Sequence, residues 1–437
     1  MSVHPDAVAS LHDHGRKGHH LVAPGEIAVG VVVGRASEYF DFFVYGIASA
    51  LVFPSVFFPF AERLQGTLYA FAVFALAFVA RPLGTVLGMW IQRRWDRGTK
   101  LTAALFLLGT ATAGIAFLPG YATIGPAAIA LLAVFRILQG IALGGSWDGL
   151  PSLLALNAPK QRRGWYAMLG QLGAPVGFAV AAALFAFLVS SLPRDEFLDW
   201  GWRYPFFAAF AINVVALFAR LRLVLTREYE RELGEHELEP TPVGELFRER
   251  GRHVFIGAFA ALASYAMFHI VTIFPLSWIQ LYEDESVAGF LVLQVVGAFL
   301  AAGGMVASGV VADRVGRART LGGTAVAIAM YSGFAPTLLG AGDLGQDVFI
   351  LLGFLLLGLS YGQAAGAVTA NFGARYRYTG AALTSDLAWL IGAAFAPLVA
   401  LGLAAELGLP YIGLYLLSGA IGTLAALGVN RWLRPRS

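Results

Sequence analysis

Cysteine is absent from the 437 residues, which excludes disulfides, thiolate metal sites and a cysteine nucleophile. Charge is scarce as well. Asp, Glu, Lys and Arg make up 13% of the chain, against about a quarter in a soluble domain. Histidine is sparse too, and five of the eight, His4, His12, His14, His19 and His20, fall in the first twenty residues. They have no fixed spacing or carboxylate geometry, although Asp6 and Asp13 lie among them. A polar tail is therefore preferred there to a metal site, and neither a metal nor a cofactor is expected. There is no HExxH, no paired-histidine cluster within the apolar runs and no sizeable soluble domain for catalysis or signalling, so nothing supports an intramembrane enzyme or a receptor.

What is present is apolar: 58% of residues, with a mean hydropathy of +0.70. Runs of the length needed to cross a bilayer, about 17–25 residues, recur at 27–52, 67–91, 101–118, 127–150, 166–190, 204–224, 254–279, 288–312, 320–341, 348–371, 380–404 and 411–433. The first follows a polar tail and has no small-residue cleavage site, so it reads as a retained span. The expected fold class is an all-α membrane protein of twelve transmembrane helices.

The basic residues sit between the runs, which argues against nucleic acid as the partner of a chain with pI near 9.1. With the N-terminus inside, 24 of the 30 Lys and Arg fall in cytoplasmic segments. Only Arg63, Arg194 and Arg203 fall outside, and Arg35, Arg81 and Arg136 lie within spans. This is a strong positive-inside bias. It predicts a multi-pass protein of the cell inner membrane with both termini cytoplasmic.

The break at 225–252, rich in charge and with a Pro-Thr-Pro stretch, divides the spans six and six. The expected layout is a tail over 1–26, a six-helix bundle over 27–224, a cytoplasmic linker over 225–252 with a short helix from Pro242, a second bundle over 253–433 and a tail over 434–437. The halves echo each other. Gly88-x3-Gln92-Arg93 after span 2 matches Gly309-x3-Asp313-Arg314 after span 8, and Arg163-Gly164 entering span 5 matches Thr379-Gly380 entering span 11. Parallel six-helix repeats bracket a central binding site in transporters.

Gly309-Val-Val-Ala-Asp313-Arg314-Val-Gly316-Arg317 resembles the loop motif of the major facilitator superfamily. There the acid and the arginines form a cytoplasmic latch between the halves, so the resemblance implies gating roles for Asp313, Arg314 and Arg317. The first copy has Gln92 where the acid is expected, and a shifted alignment through Asp96-Arg97-Gly98 is open. Within that superfamily the chain resembles the metabolite:proton symporter family. The matches are Gly34-Arg-Ala-Ser-Glu38-Tyr39-Phe40-Asp41-Phe42 with Tyr45-Gly46, Ala80-Arg81-Pro82-Leu83-Gly84, Arg136-Ile-Leu-Gln139-Gly140, Gly144-Gly145, Arg162-Arg163-Gly164-Trp-Tyr166, Gln171-Leu-Gly173-Ala174-Pro175 and Arg377-Tyr378-Thr379-Gly380. The resemblance implies proton-driven uptake of small polar metabolites. Three positions depart from it: Arg35 stands where Asn is usual, Ser146 replaces a Glu with Asp148 two residues on, and Asp386 stands where an amide is usual.

Charges at the centre of a span cost about 2.5–3.5 kcal/mol each on insertion scales, so those present are expected to face a cavity or one another. Glu38 lies roughly 16 Å into span 1 at 1.5 Å per residue. Arg35, Glu38 and Asp41 follow at three-residue intervals on one side of that helix. An acid beside a base in low dielectric can exchange its proton for substrate charge, so Glu38 and Asp41 are the proton-coupling candidates, with Asp41 as carrier. Static ion pairing is the structural alternative. Arg136 is the expected anchor for an anionic group, and Arg35, Tyr45, Arg81, Gln139, Trp147, Gln171 and His269 are the other substrate-contact candidates. Packing explains Arg81 equally well, and a hydrogen-bonded structural role explains His269. Asp148, about 18 Å along the helix from Arg136, and Asp386, about 9 Å into span 11, are gating candidates. The expected function is proton-coupled import of a small anionic or zwitterionic metabolite by a monomer in the lipid bilayer. Export by a protein of the same fold is the alternative.

Overall fold

In the computed structural model the described residues are 24–147, 158–224, 239–283, 286–369 and 372–432, and all regular structure among them is helical. Lipid offers no partner for a backbone N–H or C=O, so apolar runs must satisfy these groups within a helix. Twelve helices do so: α1 Pro24–Leu51, α2 Arg63–Arg94, α3 Arg97–Phe117, α4 Pro126–Gly145, α5 Arg163–Ser191, α6 Arg203–Val224, α7 Val243–Tyr282, α8 Val287–Val315, α9 Arg317–Leu339, α10 Asp343–Ala367, α11 Arg375–Leu407 and α12 Pro410–Trp432. Eleven are long and apolar enough to span by composition alone. Helix α1 is not among them, because Arg35, Glu38 and Asp41 lie within any long window of it.

Large apolar side chains such as Phe106, Phe117, Phe187, Phe218, Phe299 and Met330 stand exposed on the outside of the bundle. In water they would form a large apolar patch; here they are the lipid-facing surface. Local chemistry sets the ends. Asp96 caps α3 by accepting from the Thr99 backbone N–H at 2.8 Å. Two hydrogen bonds from Thr99 hold the Asp96 carboxyl below its ordinary pKa. Gly316 turns the chain from α8 to α9 at φ 92°, a conformation that disfavours a side chain, which accounts for glycine in the loop motif.

Four helices are interrupted: α5 between Leu169 and Gly173, α7 at Ala261 and at Ile273 before Pro275, α10 after Tyr361 and α11 before Pro397. Helix α2, in contrast, continues through Pro82. Within the expected linker residues 239–252 are described, and a helix begins there at Val243. A polar helical turn from Val243 runs directly into α7 and packs through Leu246 on Phe372 and Tyr376, while Thr241 pairs with Thr379. The tail residues 1–23, the linker residues 225–238 and 433–437 lie outside the described residues.

Within each half the second and fourth helices cross closely. A methyl on Gly140 of α4 would lie 2.2 Å from the Ala77 carbonyl oxygen of α2, and one on Gly358 of α10 would lie 2.1 Å from that of Ala301 of α8. The same contact in both halves supports the repeat. Gly140→Ala is therefore expected to destabilise the protein by about 3 kcal/mol, the upper end of ordinary overpacking, lowering the thermal midpoint in detergent. Gly323→Ala, whose methyl would meet nothing within 4 Å, serves as control. Between the halves α5 packs on α8, α2 on α11, and α1 on the last part of α7.

Candidate functional site

The charged residues of α1 face two ways. Arg35 and Glu38 pair at 2.8 Å, and Arg35 Nη2 reaches the Tyr39 hydroxyl at 3.4 Å. Both line a central cavity of about 30 Å³, walled also by Tyr39, Phe42, Ala77, Phe78, Arg81, Leu143 and Trp389. At roughly 10–15 Å³ per water it holds about two.

Asp41 turns the other way, toward α3, α4 and α6. It is 2% exposed and accepts a 2.8 Å hydrogen bond from Thr112, with Asn213 beside it. Thr112 in turn accepts from Gln139 Nε2 at 2.9 Å, and Gln139 Oε1 accepts from Arg136 at 3.1 Å. An arginine can only donate. The Gln139 oxygen must therefore face it, the Gln139 amide must donate onward, and the Thr112 proton must point at Asp41. A neutral relay thus carries the influence of the cation to the carboxylate without an ion pair.

Arg136 is sealed in this cluster. Its guanidinium lies 3.9 Å from the centre of the Tyr45 ring and 4.8 Å from that of Phe74, with Nε donating to the Phe74 carbonyl at 3.1 Å. Phe42 separates it from the cavity and stacks on His269 at 5.5 Å. His269 is fully buried; its Nδ1 is 3.4 Å from Thr272 Oγ1 and its Nε2 has no partner.

Two polar seams close the end that carries the basic loops. In the first, Arg81 of α2 lies 2.9 Å from Asp386 of α11, and Thr85 donates to the same carboxylate at 2.5 Å. Nearer the end of the bundle, buried Lys100 donates to Gln92, to the Trp147 carbonyl and to the Tyr378 hydroxyl at 2.7–2.8 Å. Gln92 thus occupies the inter-half position in the first motif copy, while Asp96 is a local helix cap. In the second seam Asp313 accepts from the Gly164 N–H at 2.6 Å and the Trp165 N–H at 3.3 Å, at the start of α5. Gln363 also donates to the Gly164 carbonyl, and Arg317 holds the Gly366 carbonyl at 2.7 Å. Arg314 is exposed. Tyr39 and Tyr361 join α1 to α10 through their hydroxyls. At the opposite end Arg63 donates to the Gln280 carbonyl at 2.6 Å.

Of the substrate-contact candidates, Arg35 and Arg81 line the cavity with the acid Glu38. Tyr45, Arg136 and Gln139 instead surround Asp41, and His269 belongs to the aromatic layer between. Trp147 packs on Met89, Tyr378 and Ala382 at the basic end. Gln171 is buried at the interruption of α5. Asp148 lies outside the described residues. Sequence reasoning missed Lys100, Thr112, Tyr361 and Trp389. Lys100 alone carried a signal, as a lysine at the first turn of an apolar run.

The profile of the Major Facilitator Superfamily matches residues 39–397. The inner membrane metabolite transport protein YhjE of Escherichia coli K12 is 35% identical over 442 residues, covering 99% of each chain. The shikimate transporter of the same organism is 32% identical over 90% of this chain and 91% of its own. The inward-open structure of the xylose transporter XylE from E. coli superposes with a TM-score of 0.68 at 16% identity, over 94% of this chain and 96% of that one, a likeness of fold. Two repeated six-helix halves around a polar centre and a profile match across both halves lead to one assignment: the chain belongs to the Major Facilitator Superfamily of transport proteins.

Proposed function

We propose that the protein is a proton-coupled symporter that imports a small anionic or zwitterionic metabolite by alternating access, with the basic end cytoplasmic and Asp41 as the proton carrier. The observation that carries this reading is the relay from Arg136 through Gln139 and Thr112 to Asp41. It supplies a buried acid that has no ion pair, one helical turn from the Arg35–Glu38 pair in the cavity. Protonating Glu38 breaks an ion pair; protonating Asp41 removes the charge from a carboxylate held by the neutral Thr112 hydroxyl. A relative named a proline/betaine transporter, 31% identical over 47% of this chain, and the shikimate transporter support cargo of this size and polarity.

Right-side-out membrane vesicles test the reading. Loaded at neutral pH and diluted into acid medium, they are expected to accumulate a labelled metabolite transiently, and a protonophore is expected to abolish the peak. Accumulation only in inverted vesicles would establish export instead. Accumulation indifferent to the protonophore would remove the proton from the cycle.

A further inference from the structure

Arg81 has two sides. It lines the central cavity, yet its Nε lies 2.9 Å from Asp386 across the seam between the halves. That Nε makes no in-line hydrogen bond. Among the described residues its two Nη groups donate to no protein atom, and they are not enclosed. Arg35, the other cavity arginine, is committed to Glu38 and Tyr39. The free planar fork in the cavity is thus that of Arg81, and such a fork matches a carboxylate with two parallel hydrogen bonds. Asp386, 2% exposed, does not line the cavity.

We propose that the carboxylate of the transported metabolite binds the Nη fork of Arg81, displaces Asp386 and so releases the seam between α2 and α11. The proposal rests on the symport reading above. Helices α2 and α11 belong to different halves, and parting them separates the guanidinium from Asp386. Stripping a buried ion of its partner is strongly unfavourable. A carboxylate in the cavity removes that obstacle for Arg81, because it carries the same charge as Asp386 and travels with α2. Asp386 is left at the widening seam, where water reaches it. An amide or an alcohol of the same size brings no charge and leaves the lock shut. The lock therefore selects carboxylates over neutral isosteres, and it couples their binding to opening of the basic end.

The absence of native cysteine makes the test direct. Ala382→Cys places a single thiol in the same seam, where Ala382 is 1% exposed beside Met89 and Trp147. The rate of N-ethylmaleimide labelling of the purified full chain in detergent then reports opening. Acetate and acetamide are the probes, a matched acid and amide, with chloride as the ionic control. Acetate is expected to accelerate labelling while acetamide and chloride do not. Adding Asp386→Asn is expected to raise the rate on the order of tenfold without any probe, since the closed state then holds an unpaired cation. Arg81→Lys is expected to remove the acetate effect. Should Asp386→Asn not be recovered folded, Arg81→Gln, which leaves Asp386 as the unpaired buried charge of the same pair, is read in the same way. Equal effects of acetate and acetamide overturn the anchor, and unchanged labelling in Asp386→Asn overturns the lock. No uptake is measured, so a failed lock leaves the symport reading standing, and failed proton-driven uptake with a working lock rejects that reading alone.

Discussion

Asp41→Asn is expected to abolish accumulation of substrate driven by a pH gradient while retaining substrate counterflow, which moves no net proton. Asparagine keeps the size of the side chain and an oxygen for Thr112 to meet at 2.8 Å, so the fold and the relay from Arg136 persist. What disappears is the exchangeable proton. That proton supplies about 2.3 kcal/mol per 100 mV of membrane potential and about 1.4 kcal/mol per pH unit, enough for accumulation of order a hundredfold. The variant should therefore equilibrate substrate and never concentrate it. Concentration of substrate by Asp41→Asn vesicles in acid medium would dismiss Asp41 as carrier. Glu38, and after it His269, whose Nε2 has no partner, would be the next to replace.

The second large effect concerns the latch at the start of α5. Asp313 closes the seam by accepting from the Gly164 and Trp165 N–H groups of the other half, a charge placed at the positive end of a helix. Asp313→Asn keeps an acceptor but loses the charge and turns an amide N–H₂ toward backbone donors. A loss of about 2 kcal/mol in the closed state shifts the inward–outward balance by more than tenfold. Net transport is expected to collapse while ligand binding, measured by thermal shift, stays near the parent value. Equal loss of binding and transport in a folded variant would assign Asp313 to the substrate site.

The fold was legible because lipid imposes a simple rule on sequence, and because the loop motif and the glycine crossings repeat. The site was legible only in part. Arg35, Glu38 and Arg81 stood out as charges in apolar runs, and they line the cavity. Arg136 carried the same signal, but the Tyr45 and Phe74 rings that enclose it come from other helices, and no spacing within α4 reveals them. Thr112 is one hydroxyl among many in spans, and only its neighbours on α1 and α4 make it part of the relay. An apolar run that begins at 380 places Asp386 only about 9 Å deep. Helix α11 begins earlier, with Tyr376 and Tyr378 at its start satisfied by Glu245 and by Lys100. Those tertiary hydrogen bonds make polar residues part of a buried helix end. For the same reason Lys100 reads in the sequence as a loop charge.

The small size of the central cavity, about 30 Å³, has an osmotic consequence. A centre with room for about two waters must draw in many more when either end opens, because the separated ion pairs and the cleft walls become hydrated. In the alternating-access cycle proposed above, water is thus a stoichiometric participant in every half-cycle. A solute too large to enter the cleft lowers water activity, favours the closed form and raises the barrier to opening toward its own side of the membrane. The turnover of such a transporter is coupled to the hydration state of the compartments it joins, whatever metabolite it carries.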